Sequence, residues 1–135
     1  MNAPDDSIRR IAAELLVEMP HVAKVSNYKT IDTTCWLLAQ TAGGTEVLEH
    51  QLAVNQIMQE MVIGDIAKVR TDYQFRQQSH DPSSDTFSDA TLALQVIDDY
   101  ATKASMIMSR RRVVIQEALD VARSNQTCTI VRGGG

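Results

Sequence analysis

Aromatic residues and cysteines are scarce in this chain of 135 residues. Aromatics make up 4% of it, so we expect a core of Val, Ile, Leu, Met and Ala, with the single tryptophan, Trp36, buried as an anchor. The two cysteines, Cys35 and Cys128, form no CxxC or Cys/His cluster, which argues against a structural zinc site. We interpret them as reduced thiols of a cytosolic protein, although the sequence leaves a disulfide between them open.

The chain also lacks a long hydrophobic run and a basic leader. No stretch approaches the roughly 18 apolar residues that a membrane span requires, and no basic segment precedes an apolar run as in a secretory signal. We therefore expect a cytoplasmic protein without a membrane span, and leave export by a signal-free route open. The formal net charge of -4 argues against bulk attraction to nucleic acid or an anionic membrane.

Motifs typical of enzymes are missing as well. The sequence contains no GxSxG, no P-loop, no GxGxxG and no HExxH. His21, His50 and His80 stand in unrelated contexts, without a convergent catalytic partner. The prediction is a non-enzymatic protein with no cofactor.

Helical periodicity covers most of the chain. Two long amphipathic segments, at about 45–78 and about 88–125, are separated by the polar loop 79–88. Two long helices joined by a short loop bury their apolar faces most readily as an antiparallel hairpin. The predicted fold is therefore all-α: one domain over residues 1–135, a small bundle of about four helices built on this hairpin, with flexible ends at 1–4 and 132–135.

Local signals set the remaining boundaries. Pro20 ends the first helix, Gly43 and the glycine after it end the second, and Ser88 is the predicted cap of the last. Residues 21–29 fit no element clearly, and the alternation at 127–131 allows a short extended segment.

The third predicted helix is apolar over more than one face. Its main row consists of Leu48, Leu52, Met58, Val62, Ile66, Val69 and Tyr73. Three further residues widen this row, namely Val47, Val54 and Met61. A stripe this broad predicts contact with more than one neighbour.

The last predicted helix carries a heptad pattern without Gly or Pro. One row consists of Ala93, Tyr100, Ile107, Val114 and Val121, and its companion, four residues behind, of Ile97, Ala104, Arg111, Ala118 and Asn125. Such a stripe faces another helix. We take the residues at its centre as interaction candidates: Tyr100, Met106, Ile107, Met108, Arg111 and Val114. The leading hypothesis is an assembly protein, such as an adaptor, chaperone or structural subunit, that binds another protein or itself.

Arg111 is the charged residue at the centre of this stripe. A buried guanidinium needs a carboxylate or carbonyl partner, and the third helix offers Asp65 and Glu60. One alternative function is a small nucleic-acid-linked regulator. It would use the cations of the last helix, namely Arg110, Arg112, Lys103 and Arg123.

A second alternative is a metal-binding bundle. Glu46 and His50 share a helix face next to Glu49, and a carboxylate such as Asp98 or Asp99 would complete the ligand set. Neither long helix offers the Glu-x-x-His pair of di-iron bundles, and acidic residues in a first helical turn also serve as capping charges.

Overall fold

The chain is helical, and strands are absent from residues 4–134. The computed structural model describes the backbone of those residues and the side chains of residues 6–126. This part of the chain contains five helices: α1 (Pro4–Glu18), α2 (Pro20–Ser26), α3 (Asp32–Ala39), α4 (Gly44–Gln78) and α5 (Asp85–Gly134). The all-α fold and its long pair of packed helices, α4 and α5, are confirmed. Among the described residues, no helix is both long enough and apolar enough to cross a membrane.

Helix α2 occupies most of the segment 21–29 that sequence patterns left unassigned. Pro20 stands at its start, where the missing N–H of proline costs nothing. The carboxylate of Asp65, on α4, accepts hydrogen bonds from the backbone N–H groups of His21 at 2.8 Å and Val22 at 3.4 Å. A distant residue therefore caps this helix, which explains why the local sequence carries no capping signal.

The loop between α4 and α5 is shorter than predicted, and α5 begins before Ser88. The actual cap is Ser84, whose hydroxyl oxygen accepts a hydrogen bond from the backbone N–H of Phe87 at 3.1 Å. Asp81 shapes the turn by accepting a hydrogen bond from the backbone N–H of Ser83 at 2.9 Å. That bond, with a second from the Ser83 hydroxyl, holds the pKa of Asp81 below its usual value.

The backbone of α5 continues to Gly134, so residues 127–131 are helical and the short extended segment that their alternation allowed does not form. Residues 127–131 contain neither Gly nor Pro to stop the helix. Of the predicted flexible ends, residues 1–3 and 135 lie outside the described backbone, and the side chains of 132–134 lie outside the described side chains. The side chain of Cys128 is outside the described part as well.

The chain divides into two compact units, each with its own core. Unit 1 combines residues up to Asn27 with Gln59–Met106. Within it, α1 contacts both α4 and α5, and α2 contacts α4. The C-terminal part of α4 and the N-terminal part of α5 run antiparallel, with hydrogen bonds from Gln77 to Thr91 and from Arg70 to Asp98. Its largest fully buried side chains are those of Leu15, Met19, Val22, Val25 and Ile97.

Unit 2 combines Tyr28–Met58 with the residues from Ile107 onward. Here α3 packs against the N-terminal part of α4 and the C-terminal part of α5. The buried core consists of Cys35, Ala39, Leu48, Val114, Ile115, Ala118, Leu119 and Ala122. Ile31, Leu38 and Leu52 pack against it and are partly exposed.

The buried residues of α5 coincide with the predicted heptad rows only in part. Val121 is 37% exposed and Asn125 is exposed, whereas the buried residues are Ala90, Ala93, Val96, Ile97, Ala104, Met108, Val114, Ile115, Ala118, Leu119 and Ala122. Because a straight helix has 3.6 residues per turn, a strict seven-residue row drifts by about 20° per heptad. The predicted rows are therefore buried at Ala93, Ile97, Ala104, Val114 and Ala118, and leave the core at Val121 and Asn125.

Candidate functional site

The six predicted interaction residues are distributed over both units. In unit 1, Tyr100 is partly buried and its hydroxyl donates a hydrogen bond to the Ala12 carbonyl at 3.4 Å, whereas Met106 is 67% exposed. In unit 2, Met108 is completely buried. The remaining candidates surround one cavity of unit 2, so the structure brings together Ile107, Arg111 and Val114.

This cavity, which we call the arginine cavity, has a volume of about 110 Å³. One wall is apolar and consists of Ile31, Ile107 and Val114. The remaining lining is polar. It comes from the segment before α3 and the first residue of that helix, with Tyr28, Lys29, Thr30 and Asp32, and from Arg110 and Arg111 of α5. The lining of the arginine cavity therefore contains three cationic residues and one acidic residue beside its apolar wall.

Arg111 is held at this cavity from two sides. Its guanidinium carbon lies 4.3 Å from the centroid of the Tyr28 ring, which is cation–π distance. One terminal nitrogen donates a hydrogen bond to the carbonyl oxygen of Lys29 at 3.1 Å. The expected carbonyl partner is therefore found. The ion pairs of the described side chains include none between Arg111 and Asp65 or Glu60, and Asp65 instead caps α2.

The buried polar residue Asn55 was missed by sequence reasoning. It lies on α4 with 5% of its surface exposed, and its amide nitrogen donates a hydrogen bond to the Met108 carbonyl at 3.1 Å. A second cavity of unit 2, of about 230 Å³, is lined by Tyr28, His50, Gln51, Val54, Asn55 and Arg111. The Asn55 side-chain oxygen and the Arg111 Nε are both buried without a hydrogen-bond partner. Two residues that line this cavity, Asn55 and Arg111, therefore each bury a polar atom without a partner.

The cations proposed for nucleic-acid binding have different neighbours. Arg110 pairs with Asp32 at 3.5 Å, and Arg123 pairs with Glu49 at 3.3 Å. Arg112 is exposed beside Val113 and Gln116, and Lys103 belongs to unit 1. Within the described side chains, two of the four proposed cations therefore already have a carboxylate neighbour.

The residues proposed for metal binding also have other neighbours. Glu49 is engaged with Arg123, and Asp98 pairs with Arg70 at 2.6 Å. Among the described side chains, no three His, Cys, Asp or Glu residues are grouped so as to hold a metal ion.

Cys35 is buried in the core of unit 2 and carries a free thiol. Burial raises the pKa of this thiol, because the charged thiolate loses its hydration. The neighbouring Arg111 charge acts in the opposite direction and is a smaller effect. The thiol is therefore protonated at neutral pH and poorly suited to nucleophilic chemistry.

An exposed apolar row on α4 is the other notable surface of unit 2. Val47 and Val54 are each 43% exposed, Ile57 is 54% exposed, and His50 lies exposed among them. These residues, which we call the α4 face, follow one another at intervals of three and four, the a/d spacing of a helix that contacts another helix. Val47 and Val54 belong to the widening row predicted from the sequence, and all four residues are exposed in the described part of unit 2.

Trp36 also differs from expectation. It was predicted to anchor the core, but 39% of its surface is exposed on α3, and the adjacent Leu37 is 62% exposed. The buried positions of α3 are taken by Cys35 and Ala39 instead. The short helix therefore turns its smaller side chains inward, and the local sequence gives no signal for that choice.

Compared with known protein families, curated proteins and solved structures, the chain matches no family model and shows no significant similarity to any curated protein or solved structure.

Proposed function

We propose that this protein is a non-enzymatic helical assembly protein that associates with a second copy of itself through the α4 face. The observation that carries the proposal is the exposure of Val47, Val54 and Ile57 at helix–helix spacing. Apolar side chains scattered singly over a surface need no explanation, but a regular row on one face of a helix is typical of an interface.

Charge favours a second copy as the occupant. Residues 50–58 contain no Asp, Glu, Lys or Arg, although several of them are exposed. The preceding acidic residue, Glu49, is already paired with Arg123. Two copies can therefore bring their α4 faces together without like-charge repulsion, which is the usual obstacle to self-association.

The experiment compares the oligomeric state of matched variants. We expect the parent protein to form dimers in light scattering over a micromolar concentration range. The double variant Val54→Glu/Ile57→Glu should be monomeric, because it places four carboxylates in the interface of a dimer. The control is Val17→Glu, which makes the same kind of change at a residue of α1 that is 82% exposed and lies in unit 1.

Far-UV spectra of all three proteins should agree, since each substituted residue is exposed in the structure. A parent protein that is monomeric throughout the range would contradict the proposal. So would a double variant that remains dimeric, or a control that becomes monomeric as well.

The proposal requires no chemical step and no cofactor. We also propose a cytoplasmic location, which the free thiol of Cys35 supports, because disulfides rather than free thiols are the rule in oxidising compartments.

A further inference from the structure

We propose that the arginine cavity binds an acidic segment of a partner protein, with a carboxylate of that segment on Arg111 and a neighbouring apolar side chain against Ile107 and Val114. This inference does not depend on self-assembly, because the arginine cavity contains no residue of the α4 face.

The charge of Arg111 is the first argument. None of the ion pairs among the described side chains involves Arg111, although the residue is partly buried. Its Nε is a buried donor without an acceptor. A partly desolvated cation that lacks a carboxylate is costly, and a partner that supplies one removes this cost.

The second argument is preorganisation. The Tyr28 ring and the Lys29 carbonyl fix the plane of the guanidinium before any partner arrives. Arginine forms two parallel hydrogen bonds to a carboxylate when its plane is correctly oriented. Binding therefore requires little further ordering of this long side chain, which favours affinity.

The third argument is the combination of charge and apolar wall. Lys29, Arg110 and Arg111 outnumber the single acidic lining residue, Asp32, so the cavity is cationic. Its volume of about 110 Å³ has room for a single side chain against the apolar wall. A segment that alternates acidic and aliphatic residues satisfies both features, whereas the sugar–phosphate chain of a nucleic acid offers nothing to the apolar wall.

The test measures the anisotropy of a fluorescein-labelled peptide of alternating glutamate and leucine, titrated with the full-length protein. We expect saturable binding that weakens with added salt, and little binding of a matching glutamine–leucine peptide. Arg111→Gln should weaken binding by about tenfold or more, through the loss of a charge-assisted hydrogen bond. Arg112→Gln is the matched control, since it removes the same charge from the next residue of α5, which does not line the arginine cavity, and should change affinity by less than about twofold.

Thermal melting checks that each variant is folded. If Arg111→Gln proves unstable, Tyr28→Leu provides the test, because it keeps every charge and removes only the ring that orients the guanidinium; affinity should again fall. Equal weakening by Arg111→Gln and Arg112→Gln would overturn the proposal in favour of non-specific attraction. A labelled oligothymidylate that binds more tightly than the peptide, with the same dependence on Arg111, would overturn it in favour of nucleic acid.

Discussion

Two buried polar atoms without a hydrogen-bond partner distinguish unit 2 at the scale of single residues. They are the side-chain oxygen of Asn55 on α4 and the Nε of Arg111 on α5. A buried polar group without a hydrogen bond costs about 1–3 kcal/mol. Replacing such a group with an apolar side chain of similar size therefore tends to stabilise a fold, whereas burying a further charge destabilises it.

We predict opposite effects for two substitutions of Asn55. Asn55→Leu removes the unpaired oxygen and keeps the side-chain volume, so the melting temperature should stay the same or rise. The Met108 carbonyl tolerates the loss of its extra hydrogen bond because it lies inside α5. Asn55→Asp should lower the melting temperature markedly, since the carboxylate would be buried. If Asn55→Leu is as destabilising as Asn55→Asp, the amide makes a contribution that its single hydrogen bond does not explain.

Helix α4 contains two glycines, Gly44 and Gly64, and the space around them differs. A β-carbon on Gly44 would overlap with the backbone carbonyl of Leu38, so α4 can begin this close to α3 only with glycine. Gly64, in the middle of the same helix, has nothing within 4 Å of the place where a β-carbon would lie. The first glycine is required by packing between elements, and the second is not required by any contact among the described residues.

Alanine substitutions should therefore act in opposite directions. Gly44→Ala should destabilise, because the end of α3 or the start of α4 has to move. Gly64→Ala should stabilise by up to about 1 kcal/mol, the difference in helix propensity between the two residues. Urea unfolding of the two variants beside the parent measures both effects. If Gly64→Ala is less stable than the parent protein, the open space next to Gly64 is filled by a contact that the isolated chain does not make.

At the scale of the whole molecule, charge is unevenly distributed. Unit 1 contains twelve acidic and seven basic residues, and unit 2 contains five acidic and six basic residues. The net charge of -4 therefore arises from unit 1, and the surroundings of Arg111 are not acidic. An overall negative charge is consequently compatible with an anion-binding cavity in unit 2.

The pH dependence of stability should reveal the packing of unit 1. Burial, and then the hydrogen bond from the Tyr73 hydroxyl to Glu18 at 3.0 Å, raise the pKa of Tyr73. The unfolded tyrosine loses its proton first, near pH 10, so this stabilisation is complete below about pH 10 and disappears as the pH rises through the folded pKa. We predict that the free energy of unfolding falls above about pH 10.

The variant Tyr73→Phe is the control for this prediction. It should be less stable than the parent at neutral pH by about 0.5–1.5 kcal/mol, through loss of the hydrogen bond. Its stability should then decline less steeply in alkali. Some decline should persist, because burial also raises the pKa of Tyr100. Urea titrations at a series of pH values measure these slopes, and identical slopes in both proteins would show that Tyr73 does not titrate with unfolding.

Local patterns were sufficient for the elements that are long and strongly periodic. The segment predicted at about 45–78 is α4 at Gly44–Gln78, and the hairpin partner is α5. Hydrophobic periodicity succeeds here because an amphipathic helix of this length has few other ways to bury its apolar residues. It failed for α2, which is capped by Asp65 from a distant part of the chain, and for the last positions of the α5 heptad, Val121 and Asn125, because both depend on packing partners elsewhere in the chain.

For the candidate site as well, the sequence predicted one part and the tertiary structure decided the rest. The sequence by itself singled out Ile107, Arg111 and Val114 and required a carboxylate or carbonyl partner for the guanidinium. Only the tertiary structure decided that this partner is the Lys29 carbonyl, that Tyr28 lies against the guanidinium, and that Asn55 is buried nearby. Residue type limits which interactions a side chain can make, whereas the packing of distant segments determines which of those interactions form, because partners far apart in sequence leave no shared local pattern.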